Sequence, residues 1–227
     1  MSQRELKVIA HIKTDFPTKF GIPRQSGLVD TTAKIIFDDK YRNDDALRGI
    51  EGFSHLWLLW DFSENEKADW SPTVRPPRLG GNKRVGVFAT RSPFRPNSIG
   101  LSSVKLISVE KTKEFGTVLV VSGADLLDNT PIYDIKPYIA FTDSHPDATG
   151  GFSDTVYNNN LEVVIPENLK ALIPPEKRDA LSEILSQDPR PSYQNDPERV
   201  YSFEFADMHI EFSVKNNILS VSHICHL

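Results

Sequence analysis

Loops rich in proline and glycine divide the N-terminal part of this chain into short runs that favour β-strands. The chain has 227 residues and 16 prolines, and each proline fixes the backbone and removes a hydrogen-bond donor. The runs between the loops are β-branched, aromatic or alternating, and they lie at residues 8–12, 33–37, 53–62, 84–90, 101–110 and 116–122. Many short strands separated by turns predict a mainly β fold, either a barrel or a sandwich.

The pattern changes near residue 150. Residues 166–172 and 177–185 have helical spacing, with Leu181, Ile184 and Leu185 on one helix face. Three further strand-like runs follow, at residues 201–205, 209–214 and 219–224. We therefore predict two domains: a β-domain at residues 1–148 and a smaller α+β domain at residues 149–227.

Charge is distributed unevenly along the chain. The formal net charge is −5, yet no acidic residue occurs between Asp69 and Glu110. Seven basic residues fall in that interval: Arg75, Arg78, Lys83, Arg84, Arg91, Arg95 and Lys105. A basic stretch in an acidic chain is typical of a face that binds a polyanion. A solvated loop whose arginines pair with acidic residues elsewhere is the alternative.

Several common functional motifs are absent from the sequence. There is no glycine-rich dinucleotide fingerprint, no P-loop and no nucleophile elbow, and the six histidines form no metal-ligand motif. The single cysteine, Cys225, cannot form an internal disulfide, which favours a reducing compartment. The N-terminus lacks a signal-peptide core, and the apolar run at residues 56–60 is too short to cross a bilayer. We predict a cytoplasmic protein with no metal and no membrane partner.

A segment rich in arginine, proline and glycine extends over residues 72–100. Proline stiffens such a segment, and glycine allows a ligand to approach the backbone closely. The planar arginine side chain suits carboxylates and phosphates. The segment is typical of an anion- or nucleotide-binding loop, and a structural loop whose arginines bond internally is the alternative.

Five stretches together resemble the TrmO/YaeB-like family, which is also called VirR- or TsaA-like. They are residues 23–25 (PRQ), 53–57 (FSHLW), 75–81 (RPPRLGG), 86–100 (GVFATRSPFRPNSIG) and 130–138 (TPIYDIKPY). Residues 187–193 (QDPRPSY) resemble a motif of the family's second domain. The resemblance runs in order along nearly the whole chain. One departure is Ser98, where the family commonly has proline, and we expect this change to loosen one loop.

The resemblance implies a small β-barrel that binds S-adenosylmethionine (SAM) near the interface of a homodimer. It also implies the substrate, an adenosine next to the anticodon of threonine tRNAs that already carries an N6-threonylcarbamoyl group and is methylated at N6. The cofactor-binding residues that the resemblance implies are Pro23, Arg24, Gln25, His55, Leu56, Arg91, Leu101, Asp128, Thr130, Pro131, Asp134 and Lys136.

These residue types suit the parts of SAM. Leu56 and Leu101 offer apolar surface, Gln25 both donates and accepts hydrogen bonds, and Arg91 suits a carboxylate. Ordinary core packing is the alternative for both leucines and for His55.

Two roles at the site stay open. Asp134 and Lys136 face the same way on a strand-like stretch. They either form an ion pair that orders the site or contact the substrate through Lys136. No motif identifies a general base, and the candidates are Tyr133 and Asp134.

The expected tRNA contacts are mainly basic side chains, and they are Arg75, Arg78, Lys83, Arg84, Arg95, Arg190 and Tyr193. An anticodon-loop base must be splayed out to be methylated, and aromatic stacking commonly holds such a base. Phe94 and Tyr138 are the loop aromatic residues that could hold the base in this way, and core packing is the alternative for both.

Three other functions fit parts of the sequence. A non-catalytic RNA-binding barrel predicts salt-sensitive tRNA binding that SAM does not affect. A small-molecule methyltransferase predicts SAM binding without any need for tRNA. A purely structural dimer leaves the basic loops without a purpose.

Overall fold

The structure is a computed structural model that describes residues 5–65, 70–76, 79, 82–154, 160–190 and 196–227. The chain divides into two compact units. The first unit comprises residues 1–14, 24–70 and 93–144, and the second comprises residues 15–23, 71–92 and 145–227. Each unit gathers segments from distant parts of the sequence. The domain boundary expected between residues 148 and 149 stays a prediction.

The described residues contain twelve strands: β1 (Ala10–Lys13), β2 (Thr32–Phe37), β3 (His55–Asp61), β4 (Thr73–Val74), β5 (Val85–Gly86), β6 (Ile99–Thr112), β7 (Gly116–Ser122), β8 (Thr130–Pro137), β9 (Glu162–Val164), β10 (Tyr201–Phe205), β11 (Met208–Lys215) and β12 (Ile218–His226). The α-helices described are α1 (Ala140–Asp143), α2 (Glu167–Lys170) and α3 (Arg178–Ser186). Short 3-10 helices lie at Asp39–Tyr41, Asp44–Leu47, Ile50–Gly52, Val87–Ala89, Gly151–Ser153 and Pro175–Lys177. The mainly β character predicted from the sequence is confirmed.

Six antiparallel strands form the sheet of the first unit. They pair in the order β1-β2-β7-β6-β3-β8, and β8 pairs back with β1. Each of the six therefore has a partner on both sides, so the pairing closes on itself as in a barrel. We call this sheet the closed sheet.

Side chains alternate between the two faces of the closed sheet, and one of these faces is buried in a core. On β3, Leu56, Leu58 and Trp60 are buried, and the residues between them face the other way. Trp60 leaves no room for a side chain on β6, because a Cβ added at Gly100 would lie 2.1 Å from the indole. Glycine at this position lets the two strands pack around the tryptophan.

The second unit contains a four-stranded sheet in the order β10-β11-β12-β9. Its strands alternate buried and exposed residues, as in β10, where Tyr201, Phe203 and Phe205 are buried. Helix α3 buries the apolar face predicted from its spacing, since Leu181 and Leu185 are both fully buried. The predicted strands at 201–205, 209–214 and 219–224 are confirmed within a few residues.

The strand predicted over residues 84–90 is largely wrong. Only Val85–Gly86 are in a strand, and Val87–Ala89 form a 3-10 helix. Val87 is buried and its backbone N–H donates to the Pro72 carbonyl at 3.0 Å, whereas Phe88 is 71% exposed. The alternation of apolar residues here reflects one anchored valine rather than a pleated strand.

Candidate functional site

Three adjacent strands, β6, β3 and β8, bring several of the predicted cofactor residues to one surface. In the strand register Leu59 lies between Leu101 and Asp134. Two positions along β3, Trp57 lies beside Lys136. We call the surface of these strands opposite the core the outer face, and its residues are His55, Trp57, Leu59, Leu101, Asp134 and Lys136.

Leu56 and Leu101 differ in their surroundings. Leu56 is fully buried within the core of the closed sheet, so its side chain packs there and only its backbone is available to a ligand. Leu101 is 50% exposed and belongs to the outer face. Core packing was the alternative for Leu56, Leu101 and His55, and among these only Leu56 is buried in the core.

A β-bulge shapes β8 beside the outer face. The register of β8 against β3 skips from Asp134 to Ile132, so Tyr133 is the extra residue. The extra residue reverses the alternation, and Ile132 and Ile135 both pack against the core although they are three positions apart. Beyond the bulge the alternation resumes, which leaves Asp134 and Lys136 together on the outer face.

Asp134 and Lys136 form an ion pair on this face. The Lys136 Nζ lies 2.9 Å from the Asp134 Oδ2, and both side chains are substantially exposed. This carboxylate raises the pKa of Lys136 through a hydrogen bond and through its charge. The ion pair is thus present in the structure, whereas its role in ordering the site and contact between Lys136 and a substrate both stay predictions.

Tyr133 is a hydrogen-bond donor rather than a ready base. Burial, the hydrogen bond to Asp61 and the charge of that carboxylate all raise the pKa of the Tyr133 phenol. A free tyrosine already titrates near pH 10, so this phenol is protonated at neutral pH. Its proton is directed to Asp61, and Tyr133 is poorly suited to remove a proton from a substrate.

An aromatic cluster forms one end of the outer face. The Tyr138 ring lies 5.4 Å from the Trp57 ring and 6.1 Å from the His55 ring, measured between centroids. The Trp57 Nε1 donates to the Asp143 Oδ2 at 2.9 Å. Neither Trp57 nor Asp143 is among the site residues predicted from the sequence, although the alternation of β3 places Trp57 in one row with His55.

The segment carrying Arg24 and Gln25 is fixed beside β6. Gln25 donates from its side-chain amide to the Arg24 carbonyl. The next residue, Ser26, accepts a hydrogen bond at its Oγ from the Ser103 N–H at 3.1 Å. Ser103 pairs with Trp57 in the strand register, so this segment lies close to the outer face.

The predicted residues at the start of β8 lie at the other end of that strand. Asp128 accepts hydrogen bonds from the Thr14 N–H at 2.9 Å and from Lys13 at 3.2 Å. Thr130 is buried and donates to the Leu127 carbonyl, and Pro131 pairs with His11. Thr130 and Lys136 are six positions apart along β8, a span of about 20 Å. The first unit therefore does not gather 128–131 and the outer face around one point.

Pro23 and Arg91 belong to the second unit. Pro23 is buried and Arg91 is exposed. The turn before Arg91 is held by the Thr90 Oγ1, which donates to the Val87 carbonyl at 2.8 Å and accepts from the Ser92 N–H at 3.2 Å. These hydrogen bonds fix the backbone conformation on both sides of Arg91.

Four predicted RNA contacts are described in the basic stretch. Arg75, Lys83 and Arg84 are exposed in the second unit, and the Arg84 Nη1 donates to the Thr73 Oγ1 at 2.8 Å across the β4–β5 hairpin. Arg95 is half-buried in the first unit. Ser98, the departure from the family pattern, donates from its Oγ to the Pro93 carbonyl at 3.0 Å. This hydrogen bond constrains the loop that we expected Ser98 to loosen.

Arg190 is buried rather than presented to solvent. Its guanidinium forms two hydrogen bonds to Asp188, at 2.8 and 2.9 Å, and the side chain is only 10% exposed. The hydrogen bond to Asp188 and the charge of that residue raise the pKa of Arg190. Its contact with RNA stays a prediction. Arg78 and Tyr193, also predicted to bind RNA, lie outside the described residues.

Two features are absent from the described part of the chain. No group of three or more histidine, cysteine, aspartate or glutamate side chains there is arranged to hold a metal ion. No helix there is both long and apolar enough to span a membrane.

Comparison with known proteins places the chain in a family. Residues 11–144 match the tRNA-methyltransferase O N-terminal domain, and residues 158–227 match the TrmO C-terminal domain. The chain belongs to the TrmO family. It is 40% identical over 223 residues to the tRNA (adenine(37)-N6)-methyltransferase of Escherichia coli K12, covering 94% of each chain.

Two other proteins, one of them a solved structure, are similar to the chain over most of its length. The chain is 37% identical to a protein of Pseudomonas aeruginosa named "Putative S-adenosylmethionine-dependent methyltransferase RcsF", covering 90% of each chain. A crystal structure of TrmO from Pseudomonas aeruginosa superposes with a TM-score of 0.78 at 28% identity and covers 99% of each chain. The family membership expected from the sequence motifs is confirmed.

Proposed function

We propose that this TrmO family member is a SAM-dependent methyltransferase. It adds a methyl group to N6 of the threonylcarbamoyl-adenosine next to the anticodon of threonine tRNAs. The observation that carries the proposal is the 40% identity, over 94% of both chains, to a tRNA (adenine(37)-N6)-methyltransferase. The exposed basic residues between Asp69 and Glu110 support tRNA as the substrate.

The described residues fit SAM as a cofactor. Leu101 presents half-exposed apolar surface on the same outer face as the polar Asp134–Lys136 pair, with Leu59 between them, and the Gln25 segment is fixed next to the same strands. Arg91 is exposed and suits the methionine carboxylate. The residues proposed to hold SAM are Pro23, Arg24, Gln25, His55, Leu56, Arg91, Leu101, Asp128, Thr130, Pro131, Asp134 and Lys136, with Leu56 acting through its backbone. Asp128, Thr130 and Pro131 stay in the proposal on the family resemblance, since they lie at the far end of β8 from the outer face.

SAM, when bound, supplies an activated methyl group, so the protein chiefly has to align the substrate nitrogen with that group. The outer face contributes fixed geometry to this task, because β6, β3 and β8 are paired along their lengths. The ion pair with Lys136 holds the Asp134 carboxylate in place. Tyr133 keeps its proton, so Asp134 is the better of the two candidates for a base.

The tRNA is proposed to contact the exposed cations of the basic stretch. Among the predicted contacts there, Arg75, Lys83 and Arg84 are exposed and Arg95 is half-buried, and Arg78, Arg190 and Tyr193 complete the prediction. A cytoplasmic location and a homodimer belong to the same proposal. The dimer is supported by apolar side chains that β6 leaves exposed, Leu101 at 50% and Ile99 at 37%.

The proposal is tested by methyl transfer from tritiated SAM. Threonine tRNA with and without the threonylcarbamoyl group is incubated with the protein, and the label in the RNA is counted. We expect label only in the modified tRNA. We also expect Arg91→Ala to lose most of the transfer, while Arg48→Ala retains it, because Arg48 is exposed, pairs with Asp45 at the end of a 3-10 helix and is not one of the predicted site residues.

The alternatives give different outcomes when the binding of tRNA and of SAM is measured together with methyl transfer. Salt-sensitive tRNA binding with neither SAM binding nor transfer supports a non-catalytic RNA-binding protein. SAM binding without transfer to either tRNA supports a small-molecule methyltransferase. Either of these results overturns the proposed reaction.

A further inference from the structure

Phe141 is the most exposed large apolar side chain among the described residues. It lies in α1 and is 93% exposed, whereas the next most exposed, Phe88, reaches 71%. Single exposed apolar residues are common on protein surfaces, so exposure alone decides nothing. The way in which the Phe141 backbone is held carries the inference.

The turn that carries Phe141 is fixed to the outer face. The Asp143 Oδ2 accepts hydrogen bonds from the Trp57 Nε1 and from the Ile139 N–H, both at 2.9 Å. The Asp143 N–H donates to the Ile139 carbonyl at 2.8 Å, which closes the turn around Phe141. At the start of this segment the Tyr138 N–H donates to the His55 carbonyl at 2.9 Å. A fixed backbone therefore presents the exposed ring.

The other aromatic rings of this region already pack against one another. Trp57, Tyr138 and His55 pack on one another at centroid distances of 5.4 and 6.1 Å, and all three are half-buried. Tyr138 was one of the aromatic residues expected to stack on a splayed base, and its ring is engaged within this cluster. Phe141 is thus the better placed ring to stack on a ligand.

The charges around the turn favour a nucleotide over an apolar partner. Lys136 lies beside Trp57 in the strand register, and Lys105 lies beside His55. Both lysines are exposed, and Lys136 also pairs with Asp134, so Lys105 supplies the net positive charge of this set. The nearest carboxylate on the turn, Asp143, already accepts two hydrogen bonds. An exposed aromatic ring near cationic side chains matches a base and its phosphates.

We propose that Phe141 is the platform on which an unstacked base of the tRNA anticodon loop stacks. This inference rests on the proposed function and adds a positioning residue to it. A methylated anticodon-loop base has to leave its stack, and an aromatic surface replaces the stacking it loses. Removing such a surface typically weakens binding about 5- to 150-fold per base.

The test measures binding of a fluorescently labelled threonine anticodon stem-loop by anisotropy. Phe141→Ala and Phe141→Leu are compared with the conservative variant Phe141→Tyr. The matched control is Ile107→Ala, since Ile107 is 51% exposed on β6 of the same unit. We expect the alanine and leucine variants to bind the RNA about 5- to 150-fold more weakly. The tyrosine and control variants stay within about twofold of the wild type. SAM affinity, measured by calorimetry, stays unchanged in all four variants.

Two results would overturn the assignment of Phe141. One is wild-type RNA affinity in Phe141→Ala. The other is full recovery in Phe141→Leu, which would mean that the contact is apolar rather than aromatic. Loss of a dimer by sedimentation, with RNA affinity intact, would instead assign Phe141 to a contact with a second copy. If the wild type itself fails to bind the stem-loop, the proposed function fails, and this outcome is distinct from the others.

Discussion

At the scale of single residues, the approach of Gly100 to Trp60 leaves no space for a methyl group. The Cβ of an alanine would lie 2.1 Å from the indole, which is buried and donates from Nε1 to the Ser102 Oγ at 2.9 Å. We predict that Gly100→Ala lowers the free energy of unfolding by about 1–3 kcal/mol, measured by urea denaturation. Gly52→Ala is the matched control, because nothing lies within 4 Å of its Cβ position. Equal losses in the two variants would contradict the clash.

Tyr133 allows a second prediction at this scale, about its part in the reaction. Its raised pKa keeps the phenol protonated, so we expect Tyr133→Phe to retain kcat/KM within about tenfold at pH 7–8. Removal of a general base usually costs about 10²- to 10⁴-fold. A loss of that size, measured in steady-state methyl transfer to tRNA, would show that Tyr133 takes the proton.

The same pKa shift predicts how stability depends on pH. Because the folded-state pKa of Tyr133 is raised, its contribution is present below the unfolded pKa of about 10 and is lost as the pH rises through the folded value. Lys136 and Lys111, whose pKa values are also raised, lose their contributions in the same alkaline range. We expect the free energy of unfolding to fall between pH 8 and pH 11, and to fall less in Tyr133→Phe. An identical decline in both proteins would contradict the role given to Tyr133.

At the scale of elements, helix α3 is stabilised by its buried face. Leu181 is fully buried, and Leu172, outside the helix, is 44% exposed. We predict that Leu181→Ala lowers the free energy of unfolding by about 2–5 kcal/mol, because it leaves a cavity. Leu172→Ala serves as the control and should cost less than about 1 kcal/mol. Thermal or urea unfolding followed by circular dichroism measures both, and similar losses would contradict the packing of α3.

Elements with a strong local pattern were predictable from the sequence. The strand at 201–205 has the predicted bounds, and the apolar face of α3 follows from its helical spacing. Pairing partners were not predictable in this way. Strand β9 pairs in parallel with β12. The bulge at Tyr133 is a one-residue shift in the pairing of β8 with β3. Such features depend on residues far apart in the sequence.

The candidate site was predictable to a similar degree. Alternation placed Asp134 and Lys136 on one side, and the structure has them there as an ion pair. Burial was only partly predictable: core packing was an open alternative for Leu56, which does pack in the core, whereas the burial of Arg190 against Asp188 was not predicted. Charge and residue type alone do not distinguish an exposed arginine from one that is satisfied by a carboxylate two residues away.

At the scale of the whole molecule, long-range pairing builds the surface on which the function depends. Strand β1 pairs with β8, so residues about 120 positions apart close the sheet. This closure holds β6, β3 and β8 side by side and creates the outer face. The net charge of −5 gives no sign of the seven basic residues that lie together between Asp69 and Glu110. The clustering of these residues along the chain, not the total charge, indicates tRNA as a partner.

The most direct measurement of the proposed reaction is mass spectrometry of nucleosides from threonylcarbamoylated threonine tRNA, after incubation with the protein and SAM. We predict a gain of one methyl group, located at N6 of the modified adenosine, that is absent without SAM. The gain should be lost in Arg91→Ala and kept in Arg48→Ala. An unmodified nucleoside profile, with SAM binding confirmed by calorimetry, would contradict the proposed substrate. A methyl group on any other atom would contradict the proposed position of transfer.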